Sequence, residues 1–397
     1  MAGAAKLLKS VVKFTAFKIV YPAVYKISAM RKCDKSKVIF AEIRSDKLTD
    51  NFRYIYRRLE NTQGIKPQLF AVNNISGGMG YLWKYAKLCA EMGNAGAVLI
   101  NESCNLFGAF RFRKETKVIQ TWHACGAFKK WGLSSAEGTF GESRREQEKY
   151  PAHTSYTLCP VSSEECIWAY REAFGLKDNA DCVKAMGVSR TDFYFKEQNI
   201  LNAQKRLDEV LEKRLTGGRK GRKVILYAPT FRGQPSRAYI PEKLHIRALR
   251  EKFGGDFVLL IKRHGFVKKQ WDIPSDCMDF AADVTEDMGI EQLIVTADML
   301  ITDYSSVIFE YSLMRRPMIF YAFDLADYYD ARGFYYSYDE SFLPGGIAED
   351  GGRLSELISE AAKTEYSERS DRFRKRFMGA CDGKATDRIA DYILNKQ

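Results

Sequence analysis

The stretch ADMLITDYSSVIFEYSL (residues 297–313) indicates the fold of this chain most directly. Met299 to Thr302 form a short apolar run, a polar turn follows, and a helical pattern begins at Val307. A strand that ends in a turn and leads into a helix is the repeating unit of parallel α/β sheets. We therefore predict an α/β fold with parallel sheets.

The same alternation extends through both halves of the chain. In the first half we predict strands at Val38–Ile43, Ala97–Ile100, Val118–Thr121 and Tyr156–Pro160, and helices at Asn51–Leu59 and Tyr81–Met92. In the second half we predict strands at Val224–Ala228, Phe257–Lys262, Met299–Thr302 and Met318–Tyr321, and helices at Ile200–Leu215, Pro241–Lys252 and Gly289–Thr296. This pattern predicts two α/β domains that close on a cleft, with ligands beyond the carboxyl ends of the strands.

The first 36 residues differ from the rest because lysines interrupt short apolar runs. On a helical wheel Lys6, Lys9 and Lys13 gather on one side, opposite the apolar residues Leu8, Val11, Val12 and Ile19. No apolar run reaches the ~18–20 residues that span a bilayer. We predict an amphipathic segment lying on an anionic membrane surface. The alternative is a helix packed on the protein's own surface.

Charge and cysteine usage narrow the class of protein. The net charge of +12 favours an anionic partner. The basic residues form no nucleic-acid signature, so we do not expect nucleic acid as a partner. The nine cysteines are scattered without a paired framework, as is typical of reduced thiols in a cytosolic protein.

The segment QTWHACGAFKK (residues 120–130) directly follows a predicted strand. This places His123 at a strand's carboxyl end, where an imidazole can take a proton from an alcohol near neutral pH. The alternative is a structural histidine. Cys125 follows too closely along an extended segment to form a Cys/His nucleophile with His123. His123, Cys125, His153 and Cys159 lack the spacing of zinc ligands, so we predict no metal site.

Polar and basic groups follow three predicted strands of the second half. Ser305 and Ser306 lie at a predicted helix N-terminus, which is suited to an anion, although Asp303 or Ser305 can equally cap the helix. Arg232 follows a second strand and can bind phosphate through two hydrogen bonds. Lys262 and His264 follow a third. Together these strand ends predict a diphosphate pocket.

These motifs resemble the CDP-glycerol glycerophosphotransferase family of teichoic-acid and related polymer enzymes. The residues that carry the resemblance run in the family's order from about residue 117 to 346: Trp122-His123 with Lys129, Gly187-Val188-Ser189-Arg190-Thr191-Asp192, Ala228-Pro229-Thr230-Phe231-Arg232, Lys262 and His264, Ile301-Thr302-Asp303-Tyr304-Ser305-Ser306, Pro317, Asp324, Tyr328, Arg332-Gly333-Phe334, and Pro344-Gly345. Ala124 and Cys125 stand where the family often has Gly-Thr, and Ser189 where proline is common. These departures leave the polyol and the acceptor open.

The resemblance implies a GT-B-like fold of two Rossmann-like, doubly wound domains. The expected parts are the membrane-surface segment (1–36), an acceptor-side domain (37–199), a CDP-donor domain (200–366) and a C-terminal helical segment (367–397). The implied reaction moves glycerol phosphate or ribitol phosphate from a CDP-polyol to a lipid-linked polyol-phosphate or saccharide acceptor and releases CMP. We expect it at the cytoplasmic face of the membrane, in a peripheral protein that needs no cofactor.

The resemblance also implies roles for individual residues. His123, the general base, and His264 are the expected catalytic residues. The expected donor and phosphate ligands are Arg232, Lys262, Thr302, Asp303, Ser305, Ser306 and Arg332. Trp122, Lys129, Arg190 and Asp192 are expected on the acceptor side or in support. Two alternatives stay open: a nucleotide-sugar glycosyltransferase of the same architecture, and a catalytically dead basic scaffold that binds lipid or nucleic acid.

Overall fold

The structure is a computed structural model that describes residues 2–73, 80–136, 143–177 and 181–396. The side chains of residues 2–6, 50, 235 and 329–332 lie outside what it describes. The chain divides into two compact units, the first comprising Met1–Ala124, Lys130–Asp192 and Ala380–Gln397, the second Cys125–Lys129 and Phe193–Gly379. We had placed the boundary at residues 199 and 200 and a separate helical segment at 367–397. In the structure the residues after 379 are part of the first unit.

The first unit contains six strands and seven α-helices among its described residues. Its strands are β1 (Asp34–Glu42), β2 (Lys66–Ala71), β3 (Ala95–Ile100), β4 (Lys117–Gln120), β5 (Cys159–Pro160) and β6 (Val183–Lys184). Its helices are α1 (Ala2–Thr15), α2 (Tyr21–Ser28), α3 (Asp50–Glu60), α4 (Gly80–Met92), α5 (Arg144–Lys149), α6 (Ile167–Phe174) and, from the end of the chain, α14 (Ala385–Leu394).

The second unit has six strands and seven α-helices among its described residues. The strands are β7 (Lys223–Tyr227), β8 (Phe257–Ile261), β9 (Ala281–Asp283), β10 (Met299–Thr302), β11 (Met318–Tyr321) and β12 (Gly346–Ala348). The helices are α7 (Glu197–Arg214), α8 (Ile246–Phe253), α9 (Ile290–Thr296), α10 (Val307–Ser312), α11 (Leu325–Arg332), α12 (Gly351–Ala361) and α13 (Glu368–Phe377).

The first sheet is parallel, in the order β2-β1-β3-β4. A parallel bridge between Ile119 and Leu158 joins it to the β5-β6 pair. One face packs under α3 and α14, which supply Phe52, Ile55, Ile389 and Ile393 to the core. Because both faces of a parallel sheet are covered, its inner strands β1 and β3 contain the continuous apolar runs Val38–Ala41 and Ala97–Ile100, as the sequence predicted.

The second sheet is also parallel, in the order β12-β11-β10-β7-β8-β9. Side chains of β7, β8, β10 and β11 pack against α8 and α12 in one continuous core. The predicted α/β class with parallel sheets is thus confirmed.

Each sheet has a point where the chain reverses the direction in which it adds strands. In the first sheet this switch point lies between β1 and β3, and in the second between β7 and β10. At a switch point the two following loops diverge to opposite faces and leave a crevice, which is the usual ligand position in open α/β sheets. The loops after these four strands are therefore the first places to look for a site.

The N-terminal residues are helical from Ala2 to Ser28, with one π-helical turn at Ala16–Val20. Phe17, Tyr21 and Tyr25 are buried against the first unit, whereas Leu7 and Leu8 are two thirds exposed, at 68% and 66%. Within the described part of the chain, every helix is too short or too polar to cross a membrane.

Candidate active site

His123 lies just beyond the carboxyl end of β4, as predicted, and its side chain is 42% exposed. The ring stacks on buried Trp122 at a centroid distance of 4.4 Å. Trp122 has a φ of 52°, a left-handed conformation that is strained for a residue with a bulky side chain. The amide nitrogen of Asn51 donates to the carbonyl oxygens of Thr121 (3.2 Å) and Trp122 (2.7 Å), which holds this turn in place.

The Nδ1 atom of His123 faces two oxygen atoms. It lies 3.3 Å from the carbonyl oxygen of Asn101 and 3.2 Å from Oε1 of Glu102. A carbonyl oxygen only accepts hydrogen bonds, so this geometry requires the proton on Nδ1. The lone pair of the neutral imidazole is then on Nε2, as a general base requires.

Glu102 lies at the switch point of the first sheet, in the loop after β3. Its side chain is 11% exposed, and Oε2 lies 3.3 Å from Nη2 of Arg44 in the loop after β1. Burial raises the pKa of Glu102 to about 7; Arg44 opposes this rise and Glu42 adds to it. Glu102 is not among the site residues predicted from the sequence.

Arg190 and Asp192 belong to the same unit as His123. Arg190 donates from Nη1 to the carbonyl oxygen of His123 (2.7 Å), so it supports the turn that carries the imidazole. The carboxylate of Asp192 instead accepts from the backbone nitrogens of Ala385 (3.1 Å) and Thr386 (2.8 Å) and caps helix α14. Asp192 therefore has a supporting position.

The residues after His123 enter the second unit. Cys125 is buried, and Gly126 has a φ of +64° and packs so closely on the ring of Phe309 that a Cβ would collide with it. The Nζ atom of Lys129 lies 3.4 Å from the hydroxyl of Tyr328. Lys129 is part of the second unit, and its expected role on the acceptor side or in support stays a prediction. Across the described ranges no cluster of His, Cys, Asp and Glu has the arrangement of a metal site.

Asp303 joins the two loops at the switch point of the second sheet. Its Oδ1 atom accepts from the backbone nitrogen (2.8 Å) and hydroxyl (2.9 Å) of Thr230 and from the nitrogen of Tyr304 (2.7 Å). Thr302, fully buried, donates to the carbonyl oxygen of Ala228 (2.7 Å). These two predicted ligands therefore fix the loops to each other.

Arg232 is bound by protein carboxylates. It donates from Nε and Nη2 to Asp324 (2.7 and 2.9 Å), from Nη2 to Asp303 (3.0 Å) and from Nη1 to Thr230. Burial raises the pKa of Asp324, but the hydrogen bonds and charge of Arg232, together with the hydrogen bond from Tyr304, hold it below its usual value. Because its donors point at these acids, contact of Arg232 with donor phosphates stays a prediction.

The remaining predicted donor ligands lie along the same edge. Lys262 donates to the carbonyl oxygens of Thr285 and Met288 (both 2.7 Å), and burial lowers its pKa. The exposed ring of His264 packs between Phe231 and Phe266, with centroids 4.7 and 4.9 Å away. Ser305 and Ser306 are half-buried before the six-residue helix α10. Arg332 ends α11, and its side chain lies outside the described atoms.

The profile of the family described as CDP-glycerol:poly(glycerophosphate) glycerophosphotransferase matches residues 23–395. The chain belongs to this family. It is 34% identical to the teichoic acid ribitol-phosphate primase of Bacillus spizizenii, over 94% of this chain and 95% of that protein. It is 32% identical to the teichoic acid glycerol-phosphate primase of Bacillus subtilis, over 77% of this chain and 74% of that protein.

Among solved structures the chain is similar to the wall teichoic acid polymerase TagF. The TM-score is 0.73 at 23% identity, over 99% of this chain and 96% of that one. A variant of TagF soaked with CDPG has a TM-score of 0.70. At this identity the likeness shows the fold, and the predicted GT-B-like fold class is confirmed.

Membership of the glycerophosphotransferase family confirms the predicted family and class of enzyme. The structure brings the predicted residues into two groups. Trp122, His123 and Arg190 share the edge of the first sheet. The predicted donor ligands other than Arg332 lie at the ends of β7, β8 and β10 or in the loops after them. Glu102 was missed because no local pattern links it to residue 123. Pairing of Ile100 with Gln120 brings the two loops together.

Proposed function

We propose that the protein transfers a polyol phosphate from a CDP-polyol to a terminal hydroxyl of a lipid-linked teichoic-acid polymer, releasing CMP. The observation that carries the proposal is the His123 imidazole, whose Nδ1 lies on two hydrogen-bond acceptors, so that the lone pair of the neutral ring is on Nε2. Family membership supplies the reaction class. Ribitol is the favoured polyol, because a relative that the chain matches over 95% of its length is a ribitol-phosphate primase.

In the proposed mechanism, Nε2 of His123 takes the proton of the acceptor hydroxyl. The hydroxyl oxygen attacks the phosphorus that carries the polyol, and the bond to the CMP phosphate breaks. General-base assistance of this kind typically contributes ~10²–10⁴ to a rate. We assign Lys129 and His264 the role of stabilising the negative charge that develops on the transferred phosphate. Stabilisation of this charge by fixed groups is the main requirement of phosphoryl transfer.

The donor site we propose is the carboxyl edge of the second sheet. Thr230, Thr302 and Asp303 hold its two switch-point loops together, and Ser305 and Ser306 supply hydroxyl and backbone donors to the diphosphate. Arg232 and Lys262 support these loops through their bonds to protein acceptors. We assign Arg332 to the same site from its motif alone.

The test is CMP release by purified protein supplied with an acceptor and CDP-ribitol, CDP-glycerol or a UDP-sugar. We expect CMP release with CDP-ribitol, and a His123→Ala variant should lose ~10²–10⁴ in rate. His245→Ala, which changes an exposed histidine before α8, is the matched control and should behave as wild type. Release of UDP alone would establish a glycosyltransferase instead. Full turnover by His123→Ala would show that His123 is not the general base.

The N-terminal helix supports a peripheral position at the cytoplasmic membrane face. Val11 and Phe14 are 54% and 47% exposed, and with Leu7 and Leu8 they form an apolar surface beside Lys9. Helices with such a surface and nearby lysines lie in the headgroup region of anionic leaflets. This position brings the enzyme to a lipid-linked acceptor.

Vesicle sedimentation tests this assignment. The double substitution Leu8→Glu with Val11→Glu should reduce binding to phosphatidylglycerol vesicles by about tenfold or more, because it removes apolar burial of ~1.5–3 kcal/mol per side chain. Leu201→Glu, at a half-exposed leucine of α7, is the control. Turnover of a soluble acceptor should be unchanged. Equal vesicle binding by the double variant and wild type would overturn the assignment.

A further inference from the structure

Glu102 and His123 follow neighbouring strands of the first sheet. Oε1 of Glu102 lies 3.2 Å from Nδ1 of His123, and the main chain of Asn101 adds a second acceptor at 3.3 Å. The imidazole is 42% exposed and the carboxyl group 11% exposed. An accessible ring is thus held from behind by a buried acid.

We propose that Glu102 is a positioning residue for the transfer reaction. Its carboxylate accepts the hydrogen bond that Nδ1–H of His123 donates and so fixes Nε2 as the base. It also stabilises the imidazolium that forms when the acceptor hydroxyl loses its proton. The inference rests on the proposed function. The step is balanced, since one proton moves from the hydroxyl to Nε2 and Nδ1 keeps its own proton. Carboxylates orient catalytic histidines in this way in unrelated enzymes.

A purely structural role explains the position of Glu102 less well. Its second partner, Arg44, is 52% exposed, and a pair with one exposed member contributes little to stability. Glu42, at the end of β1, is a second buried acid close enough to raise the pKa of Glu102. Burying a carboxyl group beside another acid costs folding free energy. Glutamine would fill the same space without that cost.

The charged and titratable groups that face the pair determine the expected pH dependence. Glu42 lies at the end of β1 and Arg44 in the loop after it, and both act on the carboxyl group of Glu102. His123 contacts Glu102 from the loop after β4, and Arg190 donates to the carbonyl oxygen of His123. Glu102 and His123 titrate as a pair, so the acidic limb of a pH–rate profile belongs to both. Without the carboxylate the imidazolium is less stable, and the limb moves to lower pH.

Kinetics of Glu102→Gln test the proposal. We expect kcat to fall roughly tenfold to hundredfold, KM to change little, and the acidic limb of kcat/KM to move to lower pH. Glu102→Asp should recover part of the rate. Glu115→Gln, at an exposed glutamate of the same unit, is the control. In the His123→Ala background, Glu102→Gln should have no further effect, because the residue acts through the ring.

Nitrogen-15 NMR gives a readout that is independent of turnover. The chain has four histidines, so loss of one signal set in His123→Ala assigns that ring. We expect wild-type His123 to show the Nδ1-protonated tautomer and to titrate at higher pH than in Glu102→Gln. Unchanged titration in that variant would overturn the positioning role.

The two proposals fail in different ways. A His123→Ala variant with full turnover would remove the proposed base. Loss of turnover in that variant, combined with wild-type rate and pH profile in Glu102→Gln, would overturn the role of Glu102 alone. A stability measurement separates this result from misfolding. Because the pKa of Glu102 is raised in the folded state, the ionised carboxylate opposes folding above pH 7. The Glu102→Gln variant should therefore melt at the same temperature as wild type or at a higher one.

Discussion

Arg232 and Arg214 each donate two hydrogen bonds to one aspartate, but at different depths. The Arg232 side chain is 10% exposed, whereas that of Arg214, paired with Asp287, is 47% exposed. Arg232→Met leaves the buried Asp303 and the half-buried Asp324 without their cation, which should lower the free energy of unfolding by ~3–5 kcal/mol. Arg214→Met should cost no more than ~1 kcal/mol. Urea unfolding followed by fluorescence measures both, and equal shifts in midpoint would contradict the contrast.

His123 and Arg232 show what a sequence pattern predicts about a single residue and what it leaves open. His123 was placed correctly because an apolar strand visibly ends three residues before it. The partners of Arg232 were not predicted. The sequence shows only that a basic residue follows a strand, where it could bind phosphate. The fold shows that Arg232 donates hydrogen bonds to Asp303 and Asp324.

Among single elements, most strands that are buried on both faces were predicted, whereas the half-exposed β2 and the short strands β6, β9 and β12 were not. β10 and β11 begin and end where we expected them. β2 was missed because it is an edge strand of mostly half-exposed residues that contains Lys66 and Pro67, so it has no continuous apolar run. The helix expected from Pro241 begins at Ile246.

Helix α14 offers a test of how one acid holds an element in place. Asp192 is buried, and its carboxylate accepts two backbone hydrogen bonds from the N-terminus of α14. Asp192→Ala should lower the free energy of unfolding by ~0.5–2 kcal/mol. It should also speed hydrogen exchange of the backbone amides of residues 385–394.

Asp350→Ala is the matched control for Asp192→Ala. Asp350 caps α12 through the nitrogens of Gly352 and Arg353, but it is exposed. Its loss should speed exchange in 351–361 only. Unchanged protection of 385–394 in Asp192→Ala would show that other contacts hold α14.

At the scale of the whole molecule, the class of fold and enzyme were predictable, whereas the division of the chain was not. The family motifs run over more than half of the sequence, and the family profile matches residues 23–395. Apolar periodicity shows that residues 385–394 form a helix with one buried face. It does not show which sheet that face covers, and Ile389 and Ile393 pack on the first one.

The return of the chain to the first unit affects how the protein is made. Residues 193–379 leave the ribosome before α14, so the apolar core between α3 and the first sheet lacks Ile389 and Ile393 while the second unit is translated. A nascent chain in this state has a partly open core, which favours aggregation or chaperone capture. Emergence of residues 385–394 then fills that core soon after residue 379 has completed the second unit.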